Sequence, residues 1–146
     1  AGAQIAAVLA GRPAAEEQAM IEYGQNLGTA FQLVDDALDF DASPEELGKN
    51  LGDDLAEGKA TLPLIYAMQN GSPEQSELIR QTIFEGGIEH LDEIVAIVST
   101  TGALDYTSRK AQEAADTAID ALAPIPDSDF RQALVALANF AVRRRN

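Results

Sequence analysis

The stretch FQLVDDALDF, residues 31–40, places three aspartates inside the most apolar run of the chain. An α-helix turns by about 100° per residue, so Asp35, Asp36 and Asp39 share one stripe with Gln32. Every other position from 30 to 40 is apolar, and a helix that is apolar on its remaining faces is typically buried. The pattern predicts a buried helix whose acidic stripe faces an internal cavity.

Three neighbouring carboxylates repel one another, and burial disfavours their charged form further. Protonation would relieve the repulsion, and so would divalent cations bound between adjacent turns of the helix. Carboxylate oxygens are hard ligands that suit Mg²⁺, with Mn²⁺ as a second candidate. An exposed acidic face on a surface helix is the alternative interpretation. A calcium loop is excluded, because Pro44 occupies the position that needs glycine.

Two Gly-Lys pairs follow the aspartates in GKNLGDDLAEGKATLP, residues 48–63. Glycine lets the backbone approach a ligand closely, and lysine supplies a compact positive charge for phosphate. Lys49 and Lys59 are therefore candidate phosphate ligands, although two ordinary solvated lysines remain the alternative. Asp53 and Asp54 lie between them, and we expect these carboxylates to position the lysines or to assist metal binding.

Helical periodicity runs through almost the whole chain, which predicts the all-α class. The 146 residues contain no cysteine and carry a formal net charge of −14, which argues against nucleic-acid binding. No apolar run approaches the roughly 20 residues that span a bilayer, and the absence of cysteine favours a reducing, cytoplasmic location. Expected helices cover residues 1–10, 14–40, 62–71, 73–86, 89–100, 103–122 and 129–145, with a short helical turn at 43–46.

The combined motif FQ-x-x-DD-x-x-D, then GK, then GK-x-TLP resembles the second aspartate-rich region of trans-isoprenyl diphosphate synthases. The similarity continues through NGSPEQ and ALDYTSRKAQEAADTAIDAL to AVRRRN, so it covers essentially the whole chain. It implies a terpenoid-synthase-type helical bundle around a central cavity, of which this chain would be the C-terminal portion. We therefore expect one helical domain over 1–146, with the motif at 31–61 and scaffold helices at 62–146.

The resemblance also implies roles for individual residues. Asp35 would hold Mg²⁺ on an allylic diphosphate, and Asp36 and Asp39 would bind metal directly or through water. Lys49 and Lys59 would bind the diphosphate, so Asp35 and the two lysines are the expected catalytic residues, while Gln32 would contact the substrate or the metal shell. Members of the family join isopentenyl diphosphate to an allylic diphosphate, and are usually homodimers.

The family's first aspartate-rich motif is absent from these residues. We therefore expect little or no prenyltransferase activity from this chain alone. A non-catalytic helical subunit that retains the fold is the main alternative, whereas GK-x-TLP favours chain elongation over terpene cyclisation. His90 is interpreted as a surface or capping residue, Tyr106 with Arg109 and Lys110 as a packed or solvated face, and Arg143–Arg145 as a basic helix end that is a secondary candidate for diphosphate.

Overall fold

Helices joined by turns make up the described part of the chain. The structure, a computed structural model, describes residues 2–40, 59–85 and 89–144, and no strand occurs within these ranges. The predicted all-α class is confirmed. The helices are α1 (Gly2–Leu9), α2 (Ala14–Leu38), α3 (Leu62–Asn70), α4 (Pro73–Glu85), α5 (Leu91–Thr100), α6 (Ala103–Ala121) and α7 (Asp129–Arg143).

Short polar signals in the sequence set several helix ends. At the start of α4, the Gln75 N–H donates to the Ser72 hydroxyl at 3.3 Å, and the Gln75 side chain accepts from the Ser72 N–H at 2.8 Å. This reciprocal pair satisfies two N–H groups that a helix end leaves without partners. Ser128 caps α7 by accepting from the Arg131 N–H at 3.2 Å. Gly102 has a φ of 76°, a left-handed conformation that glycine adopts without strain.

Three helix ends differ from the prediction by two residues, and the others by at most one. Helix α2 ends at Leu38 rather than at residue 40, because the Phe40 N–H donates to the Ala37 carbonyl and tightens the last turn. Helix α5 begins at Leu91, and α7 ends at Arg143. The helical turn predicted at 43–46 lies outside the described residues.

The chain divides into two compact units, one of residues 1–34 with 109–146 and one of residues 35–108. In the first unit the Tyr23 hydroxyl donates to the Leu134 carbonyl at 2.9 Å, and burial raises the pKa of that phenol. Apolar side chains pack around the Tyr23 ring. Its buried cluster is Tyr23, Ala118, Leu122 and Ala138.

The second unit packs α3, α4 and α5 against one another. Tyr66 of α3 stacks on Tyr106, with ring centroids 4.3 Å apart, which makes the Tyr106 side a packed face as predicted. The prediction of a single helical domain stays a prediction. Among the described helices, none combines the length and apolarity needed to cross a membrane. The buried cluster of this unit is Phe40, Leu64, Ala67, Ile79, Ile94, Ile97, Val98 and Ala103.

Candidate functional site

The aspartates lie at the C-terminal end of α2, beside a narrow buried stripe. Ala30, Val34 and Ala37 are 0%, 6% and 4% exposed, and their spacing of four and three residues defines one helix face. Asp35, Asp36 and Asp39 are each partly exposed. The carboxylates therefore flank the buried face, at the border between core and accessible surface.

The prediction that α2 is buried on all its apolar positions is wrong at Phe31, which is 44% exposed. A helix of a compact unit needs to bury only one face, and Phe31 lies off the stripe that is packed. Arg144 stacks over its ring, with the guanidinium carbon 3.7 Å from the ring centroid, and donates to the Phe31 carbonyl at 3.4 Å. The basic end of α7 thus covers part of this aromatic side chain.

Lys59 and Asp36 bring the two predicted motifs together. The Lys59 Nζ lies 4.0 Å from the Asp36 Oδ1, and the two side chains are 44% and 12% exposed. A half-exposed ion pair at this distance adds little stability. Its significance is geometric, since an ammonium from the GK-x-TLP segment lies next to a carboxylate from the aspartate helix.

Of the remaining predicted ligands, the structure describes only some. Gln32 is exposed on α2, one turn before Asp36, and its contact with substrate stays a prediction. Lys49, Asp53 and Asp54 lie outside the described residues.

The donor set suits a hard cation, although it does not form a closed metal cage. Within the part of the chain that the structure describes, no three acidic, histidine or cysteine side chains converge closely enough to hold a metal ion. Mg²⁺ commonly takes only one or two carboxylates and completes its shell with water and phosphate oxygens. One or two of the α2 carboxylates are therefore enough for a cation that also binds a phosphate ligand.

Thr61 is a polar residue to which the sequence alone assigned no role. It is 5% exposed, and its hydroxyl oxygen is buried with no hydrogen-bond partner in the described structure. A threonine before Leu-Pro signals a helix start, and Thr61 does occupy the N-cap of α3, yet its side chain makes no capping bond. The sequence gives no signal that this hydroxyl lacks a hydrogen-bond partner, and only the structure shows it.

His90 occupies the N-cap of α5 without a side-chain capping bond, and its ring lies 3.1 Å from a Glu93 carboxylate oxygen. It is half exposed, as predicted for a surface residue.

Comparisons with known proteins show the family to which the chain belongs. The family model for polyprenyl synthetase matches residues 1–100. An octaprenyl diphosphate synthase from Haemophilus influenzae is 51% identical over 142 residues, which cover 97% of this chain and 43% of the relative. The chain therefore belongs to the polyprenyl synthetase family, and it spans less than half the length of this relative.

Solved structures show the same fold. A polyprenyl synthase from Caulobacter crescentus, complexed with calcium and isoprenyl diphosphate, is 44% identical with a TM-score of 0.84 over 98% of this chain and 44% of that chain. A geranylgeranyl pyrophosphate synthase from Corynebacterium glutamicum, complexed with isoprenyl diphosphate and magnesium, is 32% identical with a TM-score of 0.76 over 93% of this chain and 40% of that chain. The predicted terpenoid-synthase-type helical fold is confirmed.

Proposed function

We propose that this chain supplies the allylic-diphosphate side of a trans-polyprenyl diphosphate synthase. The enzyme would condense isopentenyl diphosphate with an allylic diphosphate into a long-chain product, of octaprenyl length and used for a quinone side chain. The observation that carries the proposal is the 4.0 Å separation of Lys59 Nζ and Asp36 Oδ1. This separation brings the ammonium proposed to bind phosphate next to a carboxylate proposed to bind metal.

In the proposed reaction, Lys59 and Lys49 bind diphosphate oxygens, while Gln32 contacts the substrate. Asp35, Asp36 and Asp39 would hold Mg²⁺ or Mn²⁺, which neutralises charge on the diphosphate when it is bound. The allylic C–O bond breaks, and pyrophosphate leaves with the electron pair. The double bond of isopentenyl diphosphate forms the new C–C bond, and the proton lost from it passes to pyrophosphate.

The relatives described above are longer proteins, and this chain matches less than half of their length. We propose that the complete enzyme is a cytoplasmic homodimer. We also propose that these 146 residues alone do not elongate prenyl chains, because the family's first aspartate-rich motif is not among them. The adjacency of Lys59 and Asp36 favours the proposed synthase role over a non-catalytic helical subunit.

Magnesium pyrophosphate binding tests the proposed site directly in this chain. We expect saturable binding by isothermal titration calorimetry, and a Kd raised about tenfold to a hundredfold by Lys59→Gln, because a charge-assisted hydrogen bond contributes about 1.5–3 kcal/mol. Lys110→Gln is the matched control, since Lys110 is 40% exposed, is paired with Glu113 and is not one of the proposed ligands. Equal affinities for the two variants would contradict the proposed role of Lys59.

A further inference from the structure

The unpartnered Thr61 hydroxyl needs a physical explanation. Buried polar groups in proteins are nearly always hydrogen-bonded, because leaving one without a partner after it has lost water is costly. Thr61 is 5% exposed, and its oxygen has no partner in the described structure. Thr82 has the same 5% exposure, but its hydroxyl donates to the Leu78 carbonyl at 2.9 Å. Burial in this unit is therefore compatible with a satisfied threonine, and Thr61 is an exception.

The backbone around Thr61 forms the N-terminus of α3. Thr61 has φ −75° and ψ 162°, an extended N-cap conformation, and its carbonyl accepts from the Ile65 N–H at 3.0 Å. Pro63 has no N–H, and the Thr61 side chain does not cap the helix. The N–H groups of Leu62 and Leu64 belong to the first turn, where a helix offers no internal acceptor. Such a helix end carries partial positive charge and favours an oxyanion.

Lys59 lies two residues before Thr61, so their Cα atoms are within about 7 Å of each other. The Lys59 ammonium is 4.0 Å from the Asp36 carboxylate. A phosphate bound by Lys59 thus lies within reach of the α3 N-terminus. The Thr61 hydroxyl belongs to the same helix terminus, because Thr61 is the N-cap residue of α3.

We propose that Thr61 is a further diphosphate-binding residue, which donates its hydroxyl hydrogen to a phosphate oxygen at the α3 N-terminus. This inference rests on the proposed function, because it takes the ligand of Lys59 to be a diphosphate. Ligand binding supplies the partner that the hydroxyl otherwise lacks.

The test compares Thr61→Val with Thr82→Val, which make the same nearly isosteric change at two residues of equal exposure. The two measurements are the thermal unfolding midpoint of the free chain and the calorimetric Kd for inorganic pyrophosphate with Mg²⁺. Thr61→Val should unfold at the wild-type temperature or above it, because it removes an unsatisfied group. It should also raise the Kd about tenfold. Thr82→Val should leave the Kd unchanged, and Thr61→Ser should restore wild-type affinity.

Each alternative result has a distinct meaning. Wild-type affinity in Thr61→Val would overturn the role of Thr61 and leave the Lys59 site intact. A lowered unfolding midpoint in Thr61→Val would assign the hydroxyl a structural role and would also overturn the inference. No pyrophosphate binding by the wild-type chain would contradict the proposed function itself, and with it the role of Thr61.

Discussion

At the scale of single residues, the most informative side chains are polar groups at the edge of a core. Asp36 and Lys59 face each other at such an edge. The motif predicted that both residues serve a diphosphate site. The distance between their side chains depends on how separate segments of the chain pack, so it could not be predicted. Thr61 and Phe31 show the limit more clearly, since neither an unpartnered hydroxyl nor a half-exposed aromatic ring can be inferred from helical periodicity.

Tyr23 provides a residue-scale prediction about pH. Burial raises the pKa of its phenol, so the folded state disfavours the ionised form. The associated stability is complete below the unfolded pKa of about 10 and is lost as pH rises through the raised folded value. Tyr23→Phe should remove this alkaline loss, and at pH 7 should cost about 1 kcal/mol because the bond to the Leu134 carbonyl is gone.

Urea unfolding at pH 7 and above pH 10 measures both effects. Tyr66→Phe, which keeps the ring stacked on Tyr106, is the control and should retain the alkaline loss of stability. An identical alkaline decline in Tyr23→Phe would show that another group causes it.

At the scale of elements, helix starts were the easiest features to predict. Ser72 and Ser128 carry local signals that act within one turn, and both cap their helices in the structure. The start of helix α2 at Ala14 was predicted correctly. The burial of Phe31 was predicted wrongly, because burial depends on which neighbours a helix packs against. A periodic pattern reports that a face is apolar, and it does not report whether anything covers that face.

The Ser72 cap yields a stability prediction for α4. Its hydroxyl also donates to the Glu74 carboxylate at 2.7 Å and lowers the pKa of that group. Ser72→Ala should lower the free energy of unfolding by about 1 kcal/mol, since it removes a typical N-cap. Chemical denaturation measures this change. Ser99→Ala, at an exposed position inside α5, should be neutral or slightly stabilising, and equal losses in both variants would exclude a capping effect.

At the scale of the whole molecule, the chain contains one of the two aspartate-rich motifs expected for the family. It spans 43% of the length of the Haemophilus influenzae relative and 44% of the Caulobacter crescentus structure. Family and fold could be predicted because the aspartate and lysine motifs occur together at a specific spacing. Product length could not be derived from these residues, and the octaprenyl assignment rests on overall similarity.

If the α2 carboxylates bind the metal ion of an allylic diphosphate, a complete synthase carrying this sequence should depend on them for turnover. The measurement is incorporation of labelled isopentenyl diphosphate with Mg²⁺ in Asp35→Ala, against Asp120→Ala, an exposed aspartate near the end of α6, as the control. We predict that Asp35→Ala lowers kcat about 100-fold or more, because stabilisation of the leaving pyrophosphate is lost, while Asp120→Ala stays near wild type. A near-normal rate for Asp35→Ala would show that Asp35 does not serve the diphosphate.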